Sequence, residues 1–159
     1  MRRGIFFILL IFLIFAGCKQ STKCEKEIFL LPKDFHGRLI VFFDQKDGQE
    51  KAFEGDARLY KVPQGGLMKS QFPKNGGCMS DNRIRFFYVD SLGQRAPLLY
   101  FLDMEGKKIP ADSAYVVFSL LSNKGKNPFV IHLVGSAMEF KQLTNDVKKL
   151  QPEKILKSL

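Results

Sequence analysis

The chain has 159 residues, 45% of them hydrophobic, and carries 25 lysines and arginines against 16 acidic residues, a formal charge of +9. That length supports one domain with a real core and is too short for two. Only two histidines are present, His36 and His132, in unrelated contexts, which excludes a histidine cluster of metal-ligand spacing.

Arg2 and Arg3 precede an uninterrupted apolar run of eleven residues from Ile5 to Phe15, then Ala16, Gly17 and Cys18. A helix of that length measures about 16 Å, roughly half a bilayer's hydrocarbon thickness, so the run is an export signal over residues 1–17 rather than a permanent span. Phe15-Ala16-Gly17-Cys18 resembles the lipobox of bacterial lipoproteins, with Phe15 where leucine is most usual. The resemblance implies a diacylglyceryl group on the Cys18 thiol, cleavage before Cys18 and acylation of the new amino terminus. Two or more acyl chains, at about 0.8 kcal/mol per buried methylene, hold a protein stably on a membrane. The expected location is the bacterial cell envelope, outside the cytoplasm. The alternative is a plain secretory signal with Cys18 paired elsewhere.

Without residues 1–17 the chain keeps 142 residues, with 23 basic side chains against 16 acidic ones. Export makes nucleic acid an unsuitable partner, and lysines flanking turns, such as Lys107, Lys108, Lys124 and Lys126, read as a solvated face. Residues 18–26 are polar and form a tether, ahead of one domain over 27–159. An oxidising compartment favours pairing Cys24 with Cys78 across a loop of about 55 residues, for roughly 4 kcal/mol. Two separate buried thiols are the alternative.

From Glu27 the chain alternates short apolar runs with turn residues. "EIFLLP", "RLIVFFDQKDG", "ARLYKVP", "GLMKSQF", "RIRFFYVD", "APLLYFL", "AYVVFSLL" and "FVIHLVG" all read as strands closed by Gly, Pro, Asn or Asp. "RIRFFYVD", apolar on both sides, is the expected central strand. "SNKGKNP" suits a hairpin loop. Then the period changes: Ser136 and Glu139 form a capping box, and Phe140, Leu143, Val147 and Leu150 recur at helical spacing up to Pro152. "EKILKSL" adds a further turn. The expected fold is mainly β: a single antiparallel β-sandwich or partly open barrel of about seven or eight short strands, with a C-terminal α-helix over 136–150.

No catalytic set emerges. Neither G-x-S-x-G nor S-x-x-K occurs, Ser136 is explained as a cap, and no carboxylate pair stands out. "DQKDGQE" lacks the ligand spacing of a calcium loop and reads as a solvated turn, and the Gly pairs 65–66 and 76–77 sit in turns rather than in a phosphate loop. His132, inside an apolar strand, reads as a hydrogen-bonded core histidine. No cofactor and no metal is expected.

"CEKEIFLLPKDFHGRLIVFFDQKDG", "LYKVPQGGLMKSQFPKNGGC" and "RIRFFYVDSLGQRAPL" together resemble a family of uncharacterised bacterial lipoproteins carrying a domain of unknown function, through Pro32, Gly37, Tyr60, Val62, Pro63 and Gly66. The resemblance covers Cys24 to Leu98 and implies a β-rich exported domain with no assigned activity. Gly37 and Gly66 suit turns with φ above zero, and Pro63 suits the end of an edge strand. "HGRLIVFF" and "LYKVPQGG" are also similar to small prealbumin-like sandwich modules, an analogy of fold alone.

The leading expectation is a non-enzymatic envelope lipoprotein, held on the membrane by its lipid, that binds an envelope protein or component. Phe35, Tyr60, Phe72 and Tyr100 are the candidate partner-binding aromatics, with core packing as the competing use. The rival is a small envelope hydrolase or carbohydrate-active enzyme using His36 with Asp34 or Asp44 in one pocket. A structural spacer or a small inhibitor of an attacking enzyme is a third reading.

Overall fold

A computed structural model describes residues 24–75, 83–101, 113–119 and 127–159. Residues 1–17, Cys18, Cys78, most of the segment read as a hairpin loop and the lysines at 107, 108, 124 and 126 lie outside the described residues. Within them the apolar runs become nine strands: β1 (Lys26–Pro32), β2 (Gly37–Phe42), β3 (Ala52–Glu54), β4 (Ala57–Lys61), β5 (Leu67–Lys69), β6 (Ile84–Val89), β7 (Arg95–Tyr100), β8 (Tyr115–Ser119) and β9 (Phe129–Gly135). Two helices follow, α1 (Ala137–Lys148) and α2 (Pro152–Ser158).

The strands hydrogen-bond in the order β3-β4-β1-β6-β7-β8-β9-β2-β5, an open sheet with β3 and β5 at its ends. The mainly β, unclosed architecture with a C-terminal helix is the one expected. The pairing is mixed rather than wholly antiparallel: β1 runs parallel to both β4 and β6, β2 to β5, and β7 to β8. The reason is the route of the chain. β1 and β2 follow each other directly but do not pair; β2 joins β9 and β5, and the chain then returns through the β3–β4 hairpin to lie beside β1.

The two halves of the sheet share one core. Phe29 and Leu31 of β1, Tyr60 of β4, and Ile84 and Phe86 of β6 pack with Leu39 and Val41 of β2 and Val130 and Val134 of β9. Phe29 stacks on Tyr60 and on Phe86 at centroid distances of 4.5 and 4.9 Å. The opposite face of β2 and β9 presents Ile40, Phe42, Phe129, Ile131 and Leu133 to Val147, Phe140, Leu143 and Leu150 of the α1 region and to Ile155 and Leu156 of α2. Every residue of β9 is therefore buried. The doubly covered strands are β9 and β2 rather than β6, whose Arg85 is exposed. Burying each such large apolar side chain is worth roughly 1.5–3 kcal/mol.

Helix α1 starts where the capping box predicts. Ser136 is extended (φ −85°, ψ 166°), and the Glu139 carboxylate accepts from its backbone N–H at 2.7 Å and its hydroxyl at 2.8 Å. α2 opens on Pro152, whose fixed φ and missing N–H suit a first turn.

Two ionisable groups lie inside this core. His132 projects between Phe29 and Phe86, with ring centroids at 5.3 and 5.1 Å, and burial depresses its basicity to a pKa of about 3. Glu27, opposite Arg58 in the parallel register, accepts from the Tyr60 hydroxyl at 3.0 Å. Burial pushes Glu27 up to about 7 against the lowering effects of Tyr60 and Arg58, and burial also raises the Tyr60 phenol.

Two predictions follow from these contacts. Gly55 and Gly66 both hold φ above zero, at 60° and 69°, but a Cβ meets open space at Gly55 and falls 2.3 Å from the Arg38 carbonyl at Gly66. Gly55→Ala should cost about 1 kcal/mol in urea unfolding and Gly66→Ala clearly more, about 3 kcal/mol or beyond; equal costs would contradict the close approach. The second concerns pH. From about pH 4.5 to 7 the unfolded chain ionises Glu27 while the folded one keeps it protonated, so its contribution is lost as pH rises. His132 acts oppositely, because the unfolded chain binds a proton below about 6.5 that the folded one refuses down to about 3. The two slopes offset each other, so Glu27→Gln should gain about 3 kcal/mol on the parent between about pH 4 and 8. A constant difference across that range would refute the assignment.

Candidate functional site

A groove of about 480 Å³ opens between the helices and one end of the sheet. Its walls come from the β1–β2 turn (Phe35, His36, Gly37), the β4–β5 turn (Gln64, Gly65) and the helical layer (Leu143, Asp146, Leu150, Ile155), and its floor from Ile40 and Leu67. Local sequence builds each wall. Asp34, at φ 58°, and Gly37, at φ 131°, reverse the chain between β1 and β2, and Gly66 does the same after Pro63. The groove exists because α1 and α2 cover the outer face of β2 and β9 incompletely, leaving Ile40, Leu67, Leu143, Leu150 and Ile155 along one edge.

At its rim, His36 Nδ1 lies 3.0 and 3.1 Å from the two carboxylate oxygens of Glu139. The Ser136 backbone N–H, then the His36 ring and the Ser136 hydroxyl, hold Glu139 down to about 2, so the carboxylate is ionised and the imidazole Nδ1–H donates. Ser136, Glu139 and His36 thus stand in contact, but the hydroxyl donates to the carboxylate and not to the imidazole, which is the wrong order for activating a nucleophile. The linkage ties the β1–β2 turn to the start of α1.

The constellation expected for a hydrolase does not assemble. Asp44 stands beyond the far end of β2, about 20 Å along the strand from His36, and its N–H donates to the Phe72 carbonyl at 2.9 Å. Asp34 is the left-handed residue of the β1–β2 turn, and the carboxylate that meets His36 is Glu139. No group of three or more His, Cys, Asp or Glu side chains able to hold a metal occurs among the described residues.

The four aromatics singled out from the sequence are all core residues: Phe35, Tyr60, Phe72 and Tyr100 are 5, 0, 2 and 6% exposed. Phe35 alone also lines the groove, and its carbonyl accepts from the Tyr88 hydroxyl at 2.8 Å. Arg38 and Asp146, which line the groove with His36, carried no sequence signal. Their strand and helix come together only through tertiary packing.

A second polar cluster sits at the opposite end of β1. Arg58 Nε donates to the Glu25 carboxylate, Arg58 Nη1 donates to the Pro73 carbonyl, and the guanidinium lies 4.9 Å from the Phe72 ring centroid. Asn75 donates to the Glu25 carbonyl at 2.6 Å and accepts from its N–H at 3.2 Å, and Arg83 donates to the Cys24 carbonyl at 2.9 Å. Residues on either side of the 76–82 segment therefore both hold the backbone at Cys24 and Glu25. With Arg58 buried and its Nε and Nη1 bonded to chain atoms, the cluster is a structural clasp.

Comparisons with known proteins agree with this picture at the level of fold and family. A crystal structure described as that of a "Putative Lipoprotein from Bacillus anthracis" is similar, with a TM-score of 0.52 and 17% identity over 71% of each chain. At that identity the likeness is one of fold. No curated protein matches. The model of a family of unknown function, DUF6843, matches residues 23–136, from just before β1 through the end of β9. On that match, which spans most of the chain and all nine strands, the protein belongs to the DUF6843 family.

Proposed function

We propose that this chain is a lipid-anchored lipoprotein of the bacterial cell envelope, acylated at Cys18, whose β domain is a non-enzymatic binding module with the groove as its ligand-binding face. The observation that carries the binding reading is the groove itself: an apolar floor with a few polar groups at its edge, in which His36 and Ser136 are both bonded to Glu139. Such composition suits recognition. The leader pattern and the lipoprotein description of the structural neighbour support the anchor. No described helix is long and apolar enough to cross a membrane. Envelope proteins or envelope components are the partners to seek, and Phe35 is the one aromatic candidate placed to take part.

A Cys24–Cys78 crosslink belongs to the same proposal. Asn75 and Arg83, which flank the segment carrying Cys78, both bond to the backbone at Cys24 and Glu25, which favours bringing the two thiols together. The bond would lock the clasp where the tether enters the domain.

Membrane-extracted protein should carry the mass of the chain from Cys18 onward plus a diacylglyceryl group and an N-acyl chain. Cys18→Ser should appear without them and leave the membrane fraction. Intact mass after alkylation should shift by two further labels only with prior reduction; labelling of Cys24 and Cys78 without reduction rejects the crosslink. Mild crosslinking and pull-down of the native form against Cys18→Ser should enrich an envelope protein or component that a Phe35→Leu variant of unchanged stability retains less well. No enrichment, together with no small-ligand binding, rejects the binding module.

A further inference from the structure

We infer that the groove takes a small zwitterion with an apolar body, of the chemistry of an apolar α-amino acid or a dipeptide of such residues. The inference rests on the groove being the binding face and adds the class of ligand.

Arg38 lies on β2 with the parity of Ile40, so its side chain leaves the strand on the face that carries the apolar floor. Asp146 lies one residue before the buried Val147 of α1 and lines the same groove. Neither Arg38 nor Asp146 has an ion-pair partner among the described residues, although His36 at the rim is bonded to Glu139. Both residues are half-buried.

The groove thus supplies one cation from the strand side, one carboxylate from the helix side, and an apolar lining of Ile40, Leu67, Leu143, Leu150 and Ile155. A ligand complementary to that set carries a carboxylate for the Arg38 guanidinium, an ammonium for Asp146 and an aliphatic or aromatic body for the floor. A purely anionic ligand would leave Asp146 opposed, and a purely apolar one would bury both charges unpaired. The volume lies within the roughly 300–1,000 Å³ of small-molecule sites. Leu143, Asp146, Leu150 and Ile155 lie beyond residues 23–136, so this wall is built by sequence outside the family match.

The test is calorimetric titration of the native, membrane-extracted chain with leucine, leucyl-leucine, N-acetyl-leucine, leucinamide and the doubly blocked N-acetyl-leucyl-leucinamide. The expected result is binding of leucine or leucyl-leucine with a Kd of about 1 mM or tighter, at least about tenfold stronger than the doubly blocked compound. Arg38→Gln should weaken the zwitterion at least about fivefold yet leave leucinamide unaffected, and Asp146→Asn should do the same yet leave N-acetyl-leucine unaffected. The half-blocked probes on the parent chain supply the same information should a variant fail to fold. Equal binding of the doubly blocked compound would overturn the zwitterion and leave the binding groove standing. No binding of any probe up to about 10 mM would overturn the zwitterion, and the pull-down of the native chain then decides the binding groove separately. The ratio of leucine to leucyl-leucine affinity separates the amino acid from the peptide.

Discussion

Everything else in this domain depends on the burial of β2 and β9 from both sides. Their inward side chains, Leu39, Val41, Val130 and Val134, meet β1, β4 and β6, and their outward ones, Ile40, Phe42, Phe129, Ile131 and Leu133, would meet water if no third layer were present. Five large apolar residues left exposed would cost on the order of 10 kcal/mol, comparable with the whole stability of a domain. The amphipathic stripe of α1 and the apolar residues of α2 are therefore requirements of the sheet rather than additions to it. Glu139 fixes where that layer begins, because one carboxylate serves the Ser136 cap and the His36 ring at once.

The same core carries two ionisable groups whose burial penalises opposite charges. His132 avoids its penalty by remaining neutral between two phenylalanine rings, and Glu27 reduces its own by hydrogen bonding to Tyr60 at the edge nearest Arg58. Their linkage to pH has opposite sign, so the domain's stability changes less over the mildly acidic range than either residue alone dictates. Arg58 is fixed more firmly: Glu25, the Pro73 carbonyl and the Phe72 ring all engage it. It thereby ties β4 to the segment that precedes β1.

Much of the strand content was legible because each apolar run ends at a conformationally distinctive residue, as at Pro32, Pro63 and Gly135. The start of α1 was legible because Ser136 and Glu139 satisfy each other locally. What local sequence hides is which run pairs with which. β1 and β2 are joined by a short turn, yet β1 takes parallel partners from thirty and more residues away, since both of its flanks lie in the half of the sheet opposite β2. β3 was invisible for a different reason: three residues, with Phe53 exposed, make too short a run to show a period. His36 stands out in the sequence beside Asp34 and Asp44, but its partner, Glu139, is 103 positions away. Arg38 and Asp146 had no signal at all, because isolated charges acquire meaning only from the surface that packing places around them.

The two polar ends of the molecule divide the labour along β1. At its beginning, Cys24, Glu25, Arg58, Asn75 and Arg83 are bonded to one another through side chains and backbone, and these bonds resist opening where the chain enters β1. At its other end, seven residues and about 23 Å further on, the β1–β2 turn forms the groove wall. There Arg38 and Asp146 line the groove without an ion-pair partner among the described residues. Polar groups satisfied within the chain stabilise the fold, and polar groups left facing a cavity are available to a ligand at no cost in broken contacts.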